Sequence, residues 1–332
     1  MTEFTVWAPE AARLRLPGSI RYELHVGAFT PEGTFDAAIG HLDHLVDLGV
    51  DLVELLPANA FDGGPDGLRR LVDAVHAKGL GMILDVAHYR FGHRHLGDSL
   101  LRWLRDYHVD GLRLGGVPAT PGARPGAELT AAVESLSAHL GRPLSLIAEP
   151  DLNGPAQHAL PTLLTEDRVA QQLSAGLLRV GATLLMTALL TPMLFMGEEW
   201  AAGTPRQFAA YGRPAGEIPD RRTLVRGRLD WAELDKPEHR EVYDFYRRLI
   251  AVRKSRPDLS DPRSNRIDVR HGDRFLLTRR GECLVAANLA GKPQRINLPG
   301  LVRTVLLATA TGVTVMRDGI ELPPESAAIV AL

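Results

Sequence analysis

Residues 82–86 read Met-Ile-Leu-Asp-Val, and this short apolar run decides the fold because similar runs recur about every 30 residues. The others begin at Tyr22 (YELHV), Leu52 (LVELL), Leu112 (LRL) and Leu144 (LSLIAE). Between the runs, apolar residues stand three or four positions apart, which is the spacing of an amphipathic helix. Strand–helix units repeated in this way predict a parallel sheet that is covered by helices on both faces.

Two architectures fit this repeat, a (β/α) barrel and an open doubly wound sheet. The barrel is favoured because no glycine-rich phosphate loop follows the first apolar run. After Glu149 the repeat fails, and only one more strand is predicted, from Met193 to Gly197. Six strands instead of eight predict a reduced or incomplete (β/α) barrel. Short apolar runs separated by Gly, Pro and Asp after Ile267 predict a small C-terminal antiparallel β domain.

Helix ends can be placed from local residue types. Thr34 and Asp66 are predicted N-caps, and Gly49, Gly79 and Gly141 stand where C-caps are expected. The spacing predicts a first helix through Phe35, Ile39, Leu42 and Leu45, and a last helix over about 237–254. The apolar stretch 181–196 is shorter than the roughly 20 residues of a membrane span and contains Pro192. It therefore predicts a buried helix followed by a buried strand.

Composition excludes several functional classes. The 332 residues are 45% hydrophobic and 23% charged, as in an ordinary globular protein. With 38 basic and 40 acidic residues, the formal charge of −2 favours neither nucleic acid nor an anionic membrane. The single cysteine, Cys283, excludes an intrachain disulfide, and the N-terminus lacks the basic and apolar regions of a secretion signal. A cytoplasmic protein is expected.

Several longer blocks carry a family resemblance. They are YELHVGAFTPEGTFDAAIGHLDHLVDLGVDLVELLP, GLGMILDV, LRDYHVDGLRL, LSLIAEPDLN, TPMLFMGEEWAAGTP and LDWAELDKPEHREVY. In this order they resemble the maltooligosyltrehalose trehalohydrolases of the α-amylase superfamily. The resemblance implies a (β/α)8 barrel between an N-terminal β-sandwich and a C-terminal β domain. It also implies retaining hydrolysis of the α-1,4 bond between trehalose and a maltooligosaccharide, with an Asp nucleophile, a Glu acid/base and a second Asp.

The family's catalytic residues carry over only in part. Glu149 matches the acid/base, but Gly115 stands at the nucleophile position, and the asparagine-histidine-aspartate triplet of the second Asp is absent from the sequence. The segment 85–90 matches a family motif that begins with an aspartate and ends in a sugar-contacting histidine; it keeps Asp85 but has lost the histidine. Pro118 stands where the family has another histidine. The resemblance therefore implies a degenerate catalytic site.

Whole blocks of the family pattern are shortened as well. The cleft-wall subdomain after Gly92 is absent, and most of the sixth and seventh strands are missing between Asn153 and Val169. The resemblance divides the chain into a sandwich remnant (1–17), a reduced barrel (18–256) and a C-terminal β domain (264–332). Catalytic groups and substrate contacts are lost together, which indicates a protein that no longer hydrolyses its substrate.

Candidate site residues each have two interpretations. Glu149 and Asp85 serve either as remaining catalytic acids or as ion-pair partners of Arg113, and the structural role is preferred because an unpaired buried guanidinium is costly. The candidate ligand-binding residues are Tyr22, His25, His88, Arg90, Glu199 and Trp200. For Glu199 and Trp200 the alternative is helix capping and core packing, which is also preferred.

A metal site is the weaker alternative for the loop after the third strand. His88, His93 and His95 lie at short spacing there, a pattern that suits Zn²⁺. Arg90 and Arg94 alternate with these histidines and would repel a cation. We therefore expect no metal and no cofactor.

Three functional hypotheses follow. The first is a binding or regulatory module for an oligosaccharide or small-molecule ligand, without nucleic-acid or membrane partners. The second is a residual trehalohydrolase or α-glucan hydrolase that uses Glu149 as acid/base, and the third is new, metal-dependent chemistry on the barrel. The strand deficit further predicts an opening that is covered by a helix over 168–190, with a homodimer beside it.

Overall fold

The protein divides into two compact units by its internal contacts. A computed structural model describes residues 5–6, 14–15, 18–56, 63–87, 96–117, 127–150, 173–189, 191–203, 227–261, 263 and 267–332. The first unit is Met1–Ala159 with Met193–Tyr243, and the second is Leu160–Pro192 with Asp244–Leu332. The predicted domain boundaries stay a prediction.

A six-stranded parallel sheet forms the centre of the first unit. Its strands are β3 (Arg21–Leu24), β4 (Leu52–Leu55), β5 (Gly81–Ala87), β6 (Gly111–Val117), β7 (Ser145–Pro150) and β8 (Met193–Phe195), after a two-stranded pair of β1 (Thr5–Val6) and β2 (Leu14–Arg15). The order across the sheet is β7-β6-β5-β4-β3-β8, and every pair in it is parallel. All six predicted strands are present in the described residues, which confirms the predicted parallel α/β architecture.

Helices connect these strands. They are α1 (Val26–Phe29), α2 (Phe35–Ile39), α3 (Leu42–Leu48), α4 (Gly64–Ala77), α5 (Leu96–Asp106) and α6 (Ala127–Leu140), with 3₁₀ helices at Glu198–Trp200 and Trp231–Asp235. The apolar side of α4 is buried at Leu68, Leu71, Val72 and Val75, as its spacing predicts. Strand β4 is buried along its whole length, as a strand with both faces covered must be.

The helix caps show where local sequence rules hold. Thr34 accepts a hydrogen bond from the Ala37 amide and caps α2, and Gly49 ends α3 at a φ of 94°, so both predictions are confirmed. The prediction for Asp66 is wrong, because α4 begins at Gly64 and places Asp66 in its first turn. Pro65 explains the earlier start, since its fixed φ and missing amide hydrogen suit the first helical positions.

The predicted first helix is divided in two. Its apolar residues fall on α2 and α3, which Gly40 and His41 separate. The His41 ring stacks on Trp231 at a centroid distance of 3.9 Å, and its backbone has a φ of −109° and a ψ of 5°. This tertiary contact holds His41 outside the helix, and no periodicity of apolar residues predicts it.

The part of the second unit that the structure describes contains two antiparallel sheets and three helices. The helices are α7 (Ala175–Met186), α8 (Pro237–Ser255), which continues from the first unit, and α9 (Pro257–Ser260). The strands are β9 (Ile267–Gly272), β10 (Phe275–Arg280), β11 (Cys283–Asn288), β12 (Gln294–Asn297), β13 (Thr304–Ala308), β14 (Thr314–Met316), β15 (Gly319–Leu322) and β16 (Ser326–Ala331). Their orders are β13-β16-β11-β10-β9 and β12-β15-β14. The predicted C-terminal antiparallel β domain is confirmed.

Helix α7 and strand β8 come from the apolar stretch 181–196, which confirms a helix followed by a strand. Within the second unit, Val180 of α7 packs on Ala287 and Ala327 of the larger sheet. Two buried guanidinium groups bind carbonyl oxygens at the C-terminal end of this helix. Arg253 donates to Met186 O at 2.6 Å, and Arg280 donates to Thr187 O at 2.8 Å. None of the helices in the described ranges is long and apolar enough to cross a membrane.

Candidate functional site

Side chains of opposite charge meet on one face of the six-stranded sheet. Because side chains alternate along a strand, Arg21 and Glu23 of β3 lie on one face, while Tyr22 lies on the other. Strand β4 adds Glu54, which is the register partner of Glu23, and Asp85 of β5 is the register partner of Arg113 in β6. We call these five residues the Arg113 cluster (Arg21, Glu23, Glu54, Asp85 and Arg113).

Arg113 is the centre of this cluster. Its Nη1 atom lies 2.9 Å from Glu54 Oε1, 3.2 Å from Glu23 Oε1 and 3.3 Å from Asp85 Oδ2. Arg21 Nη1 donates to the second oxygen of Glu54 at 2.8 Å. The side chains of Glu23 and Glu54 are at most 3% exposed, whereas that of Asp85 is 15% exposed. Asp85 is therefore the carboxylate of the cluster that solvent reaches most easily.

The cluster shifts the titration of Glu23. Burial raises the pKa of the Glu23 carboxyl group to about 8, and the negative charge of Glu54 acts in the same direction. Arg113 and Arg21 lower this pKa, but their effect is smaller than that of burial, and Asp85 raises it further. Burial and the neighbouring carboxylate of Glu54 therefore favour the protonated form of Glu23.

The opposite face of β3 holds Tyr22 and Glu199, two of the candidate ligand-binding residues. The Tyr22 hydroxyl donates to Glu199 Oε1 at 2.8 Å and accepts from the Gly197 amide at 3.2 Å. His44 Nε2 of α3 lies 2.8 Å from the same oxygen of Glu199. Tyr22 and Glu199 are completely buried, so these contacts join β3, α3 and the segment after β8.

Trp200 and His25 are also inside the first unit. The Trp200 indole is fully buried, and its ring lies 4.9 Å from Trp231 and 5.4 Å from His44, measured between centroids. His25 Nδ1 accepts from the Gly27 amide and caps α1, and burial lowers the pKa of this imidazole to about 4. Both residues contribute to packing and capping in this structure, and their binding role stays a prediction.

Glu149 and Gly115 lie on neighbouring strands. Gly115 belongs to β6 and is paired with Ala87 of β5, while Glu149 belongs to β7, although its side chain is outside the described residues. The pairing of β6 with β7 shifts register between Leu114 and Val117. The polypeptide thus brings the degenerate nucleophile position and the family acid/base to adjacent strands, and their catalytic roles stay predictions.

The remaining candidate residues cannot be placed. His88, Arg90, His93 and His95 lie outside the described residues, so the loop prediction is unchanged. Within the described ranges, no group of three or more His, Cys, Asp or Glu side chains is arranged to hold a metal ion.

Sequence reasoning missed Arg21, Glu23 and Glu54. A signal for Glu23 and Glu54 exists, because each stands third in its strand, RYEL for β3 and LVEL for β4, at a buried position. A charged residue within a strand that is buried on both faces must find a partner. Arg113, which interrupts the run LRL in the same way, is that partner.

Comparison with known proteins identifies the family. The chain is 31% identical to the malto-oligosyltrehalose trehalohydrolase of Mycobacterium tuberculosis over 452 aligned positions, which cover 85% of this chain and 78% of the relative. It is also 31% identical to that of Rhizobium sp. (strain M-11) over 484 positions, covering 95% of this chain and 81% of the relative. The chain belongs to the malto-oligosyltrehalose trehalohydrolase family. Because the alignments are longer than its 332 residues, they contain gaps on its side.

Two further comparisons concern the fold. A candidate alpha amylase from Salmonella typhimurium has a TM-score of 0.71 at 19% sequence identity, over 99% of this chain and 84% of that protein. This similarity shows an α-amylase-like fold. Residues 262–329 match the model of a "Domain of unknown function (DUF3459)".

Proposed function

We propose that this chain binds an α-linked glucan or a trehalose-capped maltooligosaccharide without hydrolysing it, as a binding or regulatory module. The observation that carries the proposal is the sequence of strand β6, Gly-Leu-Arg-Leu-Gly-Gly-Val over Gly111–Val117, which contains no carboxylate. Retaining hydrolysis needs a nucleophilic carboxylate and an acid/base about 5–5.5 Å apart. Neighbouring strands are about 4.8 Å apart, so the partner of Glu149 belongs on β6, where Gly115 stands.

Asp85 does not replace the missing nucleophile in a retaining mechanism. It lies on β5, two strands from β7, and its Oδ2 atom is 3.3 Å from Arg113 Nη1. Two strand spacings are about 9–10 Å, which is more than the roughly 5–5.5 Å between the carboxyl groups of a retaining pair. The second aspartate of the family is missing from the sequence as well, so stabilisation of the developing positive charge is lost too.

An oligosaccharide is the proposed ligand because of the family. The relatives are malto-oligosyltrehalose trehalohydrolases, and a solved structure of similar fold is a product complex of a glycogen-degrading protein. Because the resemblance implies that some substrate contacts are lost together with the catalytic groups, we propose that the ligand binds to the part of the family's surface that remains on the fold.

A second candidate function is residual hydrolysis with inversion of the anomeric carbon. Two strand spacings separate β5 from β7, about 9–10 Å, which is near the roughly 6.5–9.5 Å between the carboxyl groups of inverting glycosidases. The 15% exposure of the Asp85 side chain favours this candidate, because a general base must reach a water molecule. Glu149 would then be the acid and Asp85 the base.

The hydrolysis test compares the wild-type chain with Glu149→Gln, Asp85→Asn and Gly115→Asp. The substrates are maltooligosyltrehalose and linear maltooligosaccharides, and the trehalohydrolase of Rhizobium sp. (strain M-11) is the positive control. We expect no trehalose release above a heat-denatured blank, and none from Gly115→Asp, because the second aspartate and the cleft wall are still absent. Release that disappears in Glu149→Gln overturns the proposal. If Asp85→Asn also abolishes it and the product anomer is inverted, the second candidate is correct.

The binding test is isothermal titration with the same sugars, with a β-linked glucan of equal length as the control ligand. We expect saturable heat with the α-linked sugars and none with the β-linked sugar. Equal heats for both linkages, or no heat for either, contradict a specific glucan-binding role.

We also infer a homodimer that forms through an outer edge of the six-stranded sheet. In the described residues β7 and β8 each have a strand neighbour on one side, and edge strands that lack a partner tend to pair with another chain. Twofold dimers are the commonest oligomers. Light scattering at high protein concentration should give twice the chain mass of 36.2 kDa, and a monomer refutes the inference.

A further inference from the structure

The surface formed by helices α4 and α5 carries two aromatic rings that are only partly buried. Trp103 lies in the last turn of α5, and Tyr107 directly follows that helix. The two ring centroids are 4.7 Å apart, and the ring planes are inclined by 45°. The guanidinium carbon of Arg69, which belongs to α4, lies 4.6 Å from the centroid of the Tyr107 ring. We call Arg69, Trp103 and Tyr107 the aromatic patch.

The polar atoms of both rings are available to a ligand. Trp103 Nε1 and Tyr107 Oη make no hydrogen bond to another residue in the described ranges, and neither is a buried atom. The partly exposed Trp231, by comparison, donates its indole N–H to Phe29 O at 2.7 Å. Tryptophan and tyrosine each combine a large apolar surface with a polar end, which suits them to molecular contacts.

The aromatic patch is held in place by hydrogen bonds. Arg69 donates from Nε to Asp106 O at 3.3 Å and from Nη1 to Asp66 Oδ1 at 2.9 Å, so it joins α4 to the end of α5. The chain after the patch is also fixed, because Arg142 Nη1 donates to His108 O at 3.2 Å. A surface whose side chains are already held in position loses less conformational entropy when a ligand binds.

Charged side chains of both signs surround the aromatic patch. The side chains of Asp66, Arg102 and Arg105 are all more than half exposed. Mixed charges do not suit a polyanion, and the centre of a protein interface is usually depleted of charged residues. A sugar is uncharged, and its hydroxyl groups can donate to carboxylates and accept from guanidinium groups. The C–H face of a sugar ring can pack on an aromatic face, so a carbohydrate fits this surface best.

The aromatic patch lies at the opposite end of the sheet from the degenerate catalytic position. After Tyr107 the chain reaches Asp110, whose amide donates to Met82 O near the start of β5, and then enters β6. Gly115 and Glu149 are each the fifth residue of their strand, about 13 Å from its amino end. The patch at the amino ends of the strands is therefore separate from the position that the family uses for catalysis.

We propose that the aromatic patch is a second binding site for an α-linked glucan, in addition to the remaining ligand surface of the family. The inference rests on the proposed function, because it assigns the same class of ligand to a further site. One glucose unit stacks on the exposed aromatic surface, and its hydroxyl groups bond to the surrounding charged side chains. Two sites on one chain hold a long glucan more tightly than either site alone, since the second contact is intramolecular.

The test is isothermal titration of maltoheptaose into the wild type, the double variant Trp103→Ala/Tyr107→Ala and the control Leu301→Ala. The control truncates an exposed apolar side chain of the second unit. We expect two sugars per chain for the wild type and the control, and one for the double variant. Binding to insoluble starch should weaken by at least about tenfold in the double variant, because the loss of aromatic anchors commonly has an effect of this size.

The outcomes separate this inference from the proposed function. Equal stoichiometry and affinity in all three proteins overturn the second site and leave glucan binding by the chain intact. No binding of maltoheptaose to the wild type overturns both. If sugar binding is unchanged but only the double variant is a monomer in light scattering, the aromatic patch is a contact between chains and the inference is wrong.

A measurement on the wild type decides if the double variant does not fold. In hydroxyl-radical footprinting, saturating maltoheptaose should reduce the oxidation of Trp103 and Tyr107 several-fold, and a β-linked glucan of equal length should not. Oxidation that maltoheptaose leaves unchanged, or that both sugars reduce equally, overturns the site.

Discussion

The cores of the two units are built from different residue types. In the first unit the sheet buries the Arg113 cluster, in which charges from four adjacent strands meet. In the second unit the core is apolar and consists of Leu277, Leu284, Ala286, Ile296, Ile320, Leu322, Ala328 and Val330. An apolar core gains stability from burial at any pH, whereas buried charges need matched partners. The sheet of the first unit therefore depends on ion pairs between its strands, whereas the apolar core of the second unit does not, and the buried Arg253 and Arg280 of the second unit bind carbonyl oxygens instead.

The largest expected effect is the removal of the cation at the centre of the cluster. Arg113→Met leaves Glu23, Glu54 and Asp85 without this guanidinium, and the loss of one partner of a buried ion pair costs roughly 3–5 kcal/mol. Urea unfolding at neutral pH measures this loss. The matched control is Arg102→Met, which removes an exposed ion pair with Asp106 and should cost less than about 1 kcal/mol. Equal losses in both variants would mean that the cluster does not stabilise the sheet.

The next effect concerns the second unit, where packing dominates. A Cβ atom at Gly176 in α7 would lie 2.6 Å from Glu325 O and 3.0 Å from Glu325 Cβ. Gly176→Ala should therefore lower the free energy of unfolding by about 1–3 kcal/mol, although alanine has a higher intrinsic helix propensity than glycine. Thermal unfolding checks the sign, and a raised melting temperature would show that α7 does not pack closely on this loop.

A pH effect should separate the two cores further. The pKa of His25 in the first unit is lowered from 6.5 to about 4, so the unfolded chain binds a proton that the folded chain does not. The stability that the uncharged His25 ring contributes to the folded chain is present above pH 6.5 and is lost as the pH falls to about 4. His25→Asn keeps an N-cap acceptor and should flatten this decline in urea midpoints. His271→Asn, an exposed histidine of β9, serves as control, and an identical decline in all three proteins contradicts the assignment.

The smallest effect is the loss of a helix cap. Thr34→Ala removes the hydrogen bond to the Ala37 amide at the start of α2, and we expect a loss of about 1 kcal/mol at all pH values. Thr34→Ser keeps the hydroxyl and should recover most of the stability. If Thr34→Ala leaves the free energy of unfolding unchanged, tertiary contacts alone hold this helix.

The sequence predicts the strands well because a strand buried on both faces is a continuous apolar run, as in β4 and β5. It predicts helix ends where one residue type controls them, as at Thr34 and Gly49. It fails where a distant contact decides, as for His41, which Trp231 holds outside a helix. The same reason explains the site. The sequence analysis considered Arg113 as an ion-pair partner of Asp85 and Glu149, but Glu23 and Glu54 become its partners only through strand order and register.

The central claim is that the chain binds an α-linked oligosaccharide and leaves it intact. Equilibrium dialysis against maltooligosyltrehalose tests both parts in one measurement, since the protein compartment is analysed by mass spectrometry for the amount and the length of the sugar. The account predicts a saturable excess of sugar on the protein side, all of it at full length. Free trehalose and a shortened maltooligosaccharide, formed by the wild type but not by Glu149→Gln, would contradict it.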